Sequence, residues 1–206
     1  LVDRTGIDPV EIEQVVGGNV SQVGEQAFNI TRTAWLAAGL PLTTAATTID
    51  TQCGSSQQAT GLAASLIGSG VVDVAMACGV EAMSRVPIGA SGAKQLGLGV
   101  PIPKPYFEQY EMTSQFEGAE RIADKWAITR ADTDAFGLAS QERALRAWQE
   151  DRFAGQVLGV EAPDRGEDGE LIDSTHVVDR DEGLRETSLE KLATLKPVFC
   201  YYWVNT

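Results

Sequence analysis

One cysteine, Cys53, stands between a threonine-rich extended run, Ala45 to Asp50, and a helical pattern that opens at Gly54-Ser55-Ser56. A thiol at the start of a helix meets unpaired backbone amides and the positive end of the helix dipole, both of which stabilise a thiolate. Such a group attacks carbonyls and can carry an acyl group. Gly54 removes a side chain from the approach, and the small Ser55 and Ser56 let the first turn come close to a bound carbonyl compound. Taken by position alone, Cys53 also fits a buried cysteine that only packs. The other candidates are weaker. Cys78 closes an apolar run, where an inert packing role is expected. The sole histidine, His176, lies in an acidic stretch and reads as an exposed structural residue. The three cysteines at 53, 78 and 200 have no paired spacing and no histidine cluster, so neither a disulfide framework nor a metal site is expected. Gly97-Leu98-Gly99 lacks the third glycine of a dinucleotide loop, and Asp164 to Gly169 starts like a calcium loop but meets Thr175 where the bidentate acid belongs.

The elements around Cys53 alternate in type. Val15-Val16 before Gly17-Gly18 reads as a buried strand stopped by glycines. Gly24 to Ala38 reads as a helix, with Ala27, Ile30, Ala34 and Ala38 on one face and Gly39 as its stop. After the cysteine, Ala59, Leu62, Ala63, Leu66 and Ile67 mark one helical face, which predicts a central helix with Leu62 and Leu66 buried. Val71 to Cys78, broken only by Asp73, has the pattern of a strand buried on both faces of a parallel sheet. Strand, helix, strand, helix, strand is an α/β order. From Pro87 to Tyr110 glycine and proline interrupt any period, which places a domain boundary there. Two helices follow, around 118–126 and 131–151, the second opened by a capping box at Thr129 and Asp132. The acidic stretch from Glu161 to Arg185 turns at Asp168-Gly169.

Composition bounds the partners. The chain of 206 residues is 43% hydrophobic and 22% charged, as a globular protein with a sizeable core requires. Its net charge of -13 repels a phosphate backbone, so nucleic acid is not expected as a partner. The same charge repels a free anionic ligand, so a site for one must rest on a few local cations and backbone amides. No apolar stretch has the length of a membrane span, and the first residues lack the order of a signal peptide; a cytoplasmic protein without a membrane partner is expected.

The segment from Thr47 to Pro87, with Cys53-Gly54-Ser55 before a helix, a glycine-rich stop, an apolar strand and then Gly79-Val80-Glu81-Ala82-Met83-Ser84, closely resembles the nucleophile segment of thiolases. The resemblance extends back to Val15-Val16-Gly17-Gly18-Asn19-Val20 and Asn29-Ile30-Thr31-Arg32, and on to Leu195-Lys196-Pro197-Val198-Phe199, which is nearly the whole chain. The Cys53-Gly54-Ser55-Ser56-Gln57-Gln58 form is most similar to bacterial thiolases of fatty-acid or steroid side-chain breakdown. The resemblance implies a thiolase-like fold in its amino-terminal half, a mostly parallel mixed sheet carrying an inserted loop domain. It also implies an acetyl-CoA C-acyltransferase that cleaves 3-ketoacyl-CoA, or runs the reverse condensation, through an acyl group on Cys53. Coenzyme A and acyl-CoA enter as substrates, and no cofactor is held permanently. The Cys53 backbone amide would form half of an oxyanion hole. Residues 1–86 correspond to the core, 87–195 to the loop domain over coenzyme A, and 196–206 to the return toward the core. Arg185 matches a position whose cation sits near the adenine and phosphate end of coenzyme A; a solvated charge in an acidic turn is its other reading. The intact enzyme is implied to be a homo-oligomer, a dimer or tetramer.

The family's second-half elements, an Asn-Glu-Ala-Phe segment, a Gly-His-Pro histidine and a Cys-x-Gly cysteine, are absent from these residues, and Cys200-Tyr201-Tyr202 does not match the last of them. The expectation is a fragment that is inactive alone. A β-ketoacyl synthase-like condensing enzyme and a non-catalytic thiolase remnant are the alternatives.

Overall fold

The central strand is β1, Gln14–Gly18, buried along almost its whole length. The computed structural model describes residues 1–92 and 96–197, so Cys200 and the residues after it lie outside the described part. Strand β2, Ala45–Ile49, pairs parallel to one side of β1, with Val16 opposite Thr47. Strand β3, Ala75–Gly79, pairs parallel to the other, with Val16 opposite Ala77, so the sheet order is β2-β1-β3. Parallel neighbours need crossovers long enough to hold a helix. Those helices follow a first short helix, α1, Val2–Thr5, and are α2, Ile30–Ala37, and α3, Ser55–Gly68.

Each helix covers one face of the sheet, and glycines set how close it comes. A Cβ on Gly17 would lie 2.0 Å from the Thr31 hydroxyl of α2, and one on Gly18 would lie 2.5 Å from the Ser55 and Ser56 backbone of α3. Gly17 and Gly18 do not stop the strand, as the sequence suggests; they are ladder residues whose missing side chains admit the helices. On the α2 face, Ile12, Val15 and Trp35 form the buried cluster, and the Trp35 Nε1–H donates to the Pro41 carbonyl at 2.8 Å.

Three further expectations change. The segment 24–38 is not one helix. A 3-10 turn at Gly24–Gln26 is separated from α2 by Phe28 and Asn29, both left-handed. Asn29 caps α2 by accepting from the Arg32 amide, and it donates to the Ala46 carbonyl of β2. The face that α2 buries carries Thr31 and Trp35 rather than Ala34 and Ala38. In α3 the buried residues are Ser55, Ala59 and Ala63, one turn apart, whereas Leu62 is 36% exposed and Ile67 44%. Leu66 is partly buried, so the helix buries its small-residue face and leaves Leu62 and Ile67 outward. Finally, β3 is shorter than the apolar run that contains it: Val71 is 66% exposed, and Cys78 is exposed rather than enclosed.

A first compact unit runs from Leu1 to Tyr106, and a second begins at Phe107. Helix α4, Lys104–Gln109, bridges the division in sequence. The second unit holds α5, Gln115–Trp126, and α6, Arg130–Gln149. The Thr129–Asp132 capping box is present, with the Thr129 amide donating to the Asp132 carboxylate at 2.8 Å. An antiparallel hairpin joins β4, Val160–Arg165, to β5, Leu171–Val178, and Gly169 takes the left-handed turn position at φ 83°. Helix α7, Leu189–Ala193, is held to α6 through the Arg130 guanidinium, which donates to the Leu192 and Leu195 carbonyls.

Candidate active site at the Cys53 turn

Strand β2 ends at Ile49 and α3 begins at Ser55, so five residues turn the chain from the sheet into the helix at the carboxyl ends of three parallel strands. In open parallel sheets that edge collects the strand-to-helix turns and is where ligands bind. The three strand ends are locked together there. The Asn19 amide donates to the Ile49 carbonyl at 3.0 Å, the Val80 amide to the Gly18 carbonyl at 3.1 Å, and the buried Asn19 side chain donates to the Val80 carbonyl at 2.7 Å.

Inside the turn the backbone is held tightly. Gln52 sits in the left-handed region at φ 54°. Asp50 Oδ1 accepts from the Gln52 amide at 2.7 Å. The hydroxyl of buried Ser55, a residue 4% exposed, accepts from the Thr51 amide at 3.0 Å and donates to the Gln52 carbonyl at 2.6 Å, while the Ser55 amide donates to that same carbonyl. Cys53 follows directly, solvent-exposed, one residue before the Gly54 N-cap. No side chain caps α3, and of its first-turn amides the Ser55 one is taken by the Gln52 carbonyl, which leaves those that follow it for a ligand or water. The reading of Cys53 as a buried packing residue does not hold, because the residue is exposed at a helix start.

The structure revises which neighbours matter. A Cβ on Gly54 would meet only ordinary contacts with Thr51, whereas one on Gly79 would lie 2.0 Å from the Ser56 hydroxyl. Gly18 and Gly79 are the glycines that seat the amino end of α3. The sequence reading missed both, as it missed Asp50 and the Ser55 hydroxyl. An Asp two residues before a strained position is a turn signal that could have marked Asp50.

The remaining candidates fall elsewhere. Cys78 lies on the α2 face of β3 and lines an apolar cavity of about 280 Å³ with Val15, Thr31, Trp35 and Met76. Cys78 is exposed, yet desolvation of its thiol pushes the pKa above the ordinary value, which disfavours the thiolate. Arg185 is in the second unit, where its amide donates to Gln141 Oε1 at 3.2 Å. Among the described residues its guanidinium, flanked by Glu182 and Glu186 in sequence, is exposed and unpaired. His176 is half-exposed and bonded through Nδ1 to Asp164 at 2.6 Å, with Ser174 on the other carboxylate oxygen. The serine bonds the carboxylate rather than the imidazole, so the trio lacks the order of a nucleophile and its base. Among the described residues no group of three or more His, Cys, Asp or Glu could hold a metal ion.

Comparison with known proteins agrees with this geometry. Residues 1–201 match the family profile described as thiolase, N-terminal domain. The chain is 41% identical over 204 residues to the steroid 3-ketoacyl-CoA thiolase FadA6 of Mycobacterium tuberculosis, covering 96% of this chain and 47% of that protein. It is 40% identical over 202 residues to a 3-ketoacyl-CoA thiolase of Shewanella, covering 97% of this chain and 49% of that one. The crystal structure of the Bacillus anthracis acetyl-CoA acetyltransferase superposes with a TM-score of 0.79 at 34% identity, over 97% of this chain and 50% of that one. The chain thus spans about half the length of the relatives it matches. With a parallel sheet, a cysteine at the turn into α3 and a family profile matched over 1–201, this chain belongs to the thiolase family, as its amino-terminal domain.

Proposed function

We propose that this domain supplies the acyl-accepting cysteine of a thiolase acting on 3-ketoacyl-CoA, and that Cys53 is that nucleophile. The observation that carries the reading is an exposed thiol at the uncapped start of α3, within a domain of this family. The Cys53 sulfur adds to the 3-keto carbonyl. The bond between C2 and C3 then breaks, leaving the acyl group on sulfur and releasing acetyl-CoA once its α-carbon is protonated. The thiol of a second coenzyme A takes the acyl group and frees Cys53. Run backward, the same steps condense two acyl-CoA units. The groups that move protons in these steps belong to the family's second half, so the segment works as part of a longer enzyme and turns over poorly alone. Residues 87–195 are assigned to the loop domain over coenzyme A, and Arg185 to its nucleotide end. Coenzyme A is a substrate rather than a resident cofactor, and the intact enzyme is a cytoplasmic homo-oligomer.

The test is covalent. The chain joined to a thiolase second half is incubated with acyl-CoA and digested, and its peptides are weighed. An acyl group on the Cys53 peptide, absent in Cys53→Ser, is expected along with loss of thiolysis in that variant. An acyl group elsewhere, or thiolysis that survives Cys53→Ser, overturns the assignment.

A further inference from the structure

We infer that Asp50 and Ser55 are positioning residues for Cys53: together they hold Gln52 in its left-handed conformation and so fix where the thiol stands against the start of α3. The inference rests on the reading of Cys53 as the nucleophile and adds to it the pair that aims it.

A glutamine at φ 54° pays a steric cost that glycine would not, and such a backbone persists only where neighbours over-determine it. Here two side chains do so from opposite ends. Asp50, on the exposed side, receives the Gln52 amide at 2.7 Å. Ser55, buried beneath the turn, takes the Thr51 amide and gives its own proton to the Gln52 carbonyl. Both peptide groups bordering Gln52 are thereby pinned, and the next residue is Cys53. Ser55 is itself seated by Gly18, whose missing Cβ leaves room for the serine's backbone and Cβ. The line of support runs from the sheet through Gly18 to Ser55, then to Gln52 and the thiol. Without either tie the turn can relax toward ordinary backbone angles and carry the sulfur away from its place at the start of α3.

The two ties predict opposite outcomes from a plain charge effect. Asp50 is an anion three residues from the thiol, so if only its charge mattered, Asp50→Ala and Asp50→Asn would both speed the reaction of Cys53. If its hydrogen bond matters, Asp50→Ala slows the reaction, whereas Asp50→Asn, which keeps an acceptor oxygen, restores it.

The experiment measures the rate of iodoacetamide labelling at Cys53 in the full 206-residue chain near neutral pH, read by peptide mass mapping. Cys78 labelling and far-UV circular dichroism report whether each variant is folded, and a short peptide spanning 47–58 gives the unstructured rate. The expected result is a wild-type Cys53 faster than the peptide, slowed about three- to tenfold toward the peptide rate by Asp50→Ala and by Ser55→Ala, with Asp50→Asn near wild type. Should Ser55→Ala fail to fold, the exposed Asp50 pair carries the test alone. A wild-type Cys53 no faster than the peptide overturns both the nucleophile reading and this inference. A fast wild type whose rate survives Asp50→Ala overturns the positioning role and leaves the nucleophile reading standing.

Discussion

At the scale of single residues, the site depends on glycines that differ in what surrounds them. Gly18 has the Ser55 and Ser56 backbone 2.5 Å from where a Cβ would go, and backbone cannot move aside as a flexible side chain can. Gly61, inside α3, has nothing within 4 Å and an ordinary helical backbone. Gly18→Ala is therefore expected to cost about 2 kcal/mol or more by lifting the start of α3 from the sheet. Gly61→Ala is expected to gain about 0.5 to 1 kcal/mol from reduced backbone entropy in the unfolded chain. Urea denaturation of the two variants checks both signs, and a tolerated Gly18→Ala would show that α3 does not rest on β1 as described.

At the scale of elements, α3 inverts the burial that its hydropathy suggests. Ala59 is fully buried, whereas Leu62 keeps 36% of its surface. Ala59→Leu should overpack the sheet contact and cost about 1 to 3 kcal/mol, and Leu62→Ala in this domain should cost about 1 kcal/mol or less. Thermal or urea unfolding that ranks Leu62→Ala above Ala59→Leu would reverse the assigned face. The hairpin of β4 and β5 carries a pH dependence of its own. Hydrogen bonds from Ser174 first, and then from His176, hold the Asp164 carboxyl below its ordinary value of 3.8. A lowered folded value means that this carboxylate stabilises the hairpin fully above the ordinary value and loses that effect as pH falls through the lowered one. Protection factors of the β4 and β5 amides, which remove the intrinsic pH dependence of exchange, should thus be steady down to about pH 4 and fall below it, with Asp164→Asn removing the acid-dependent change. The effect is small, because the carboxylate is only half-buried and solvent screens it.

At the scale of the molecule, a net charge of -13 sets the problem of binding an anionic substrate. Attraction cannot come from the overall field, so it has to come from backbone amides and individual cations. Arg185 is exposed and unpaired among the described residues, which leaves its charge available. In the assembled enzyme, Arg185→Ala is expected to raise the KM for acyl-CoA about two- to fivefold while kcat stays within about twofold, the pattern of a lost uniform binding contact. Steady-state kinetics at low and high salt checks this, since added salt should shrink the difference. An unchanged KM at low salt would return Arg185 to a solvated surface charge. No helix among the described residues is long and apolar enough to cross a membrane.

Local rules carried much of the fold. The alternation of extended and helical segments, the capping box at Thr129 and Asp132, the Asp168-Gly169 turn and a cysteine between strand and helix all follow from short-range chemistry, and all stand in the structure. Three features were beyond that reach. Gly17 and Gly18 look like a strand stop until the partner helices are in place, since only the approach of Thr31 and Ser55 gives a missing Cβ its purpose. The buried face of α3 follows the shape of the sheet it meets rather than the helix's own hydropathy, so small residues won over leucines. The left-handed Gln52 and its two ties are invisible in residue types, because a hydroxyl or carboxylate becomes a support only when folding brings a particular amide within about 3 Å of it. The chemistry offered by Cys53 could be read from its neighbours in the chain, but the backbone that carries it is set by contacts between β1, the turn and α3.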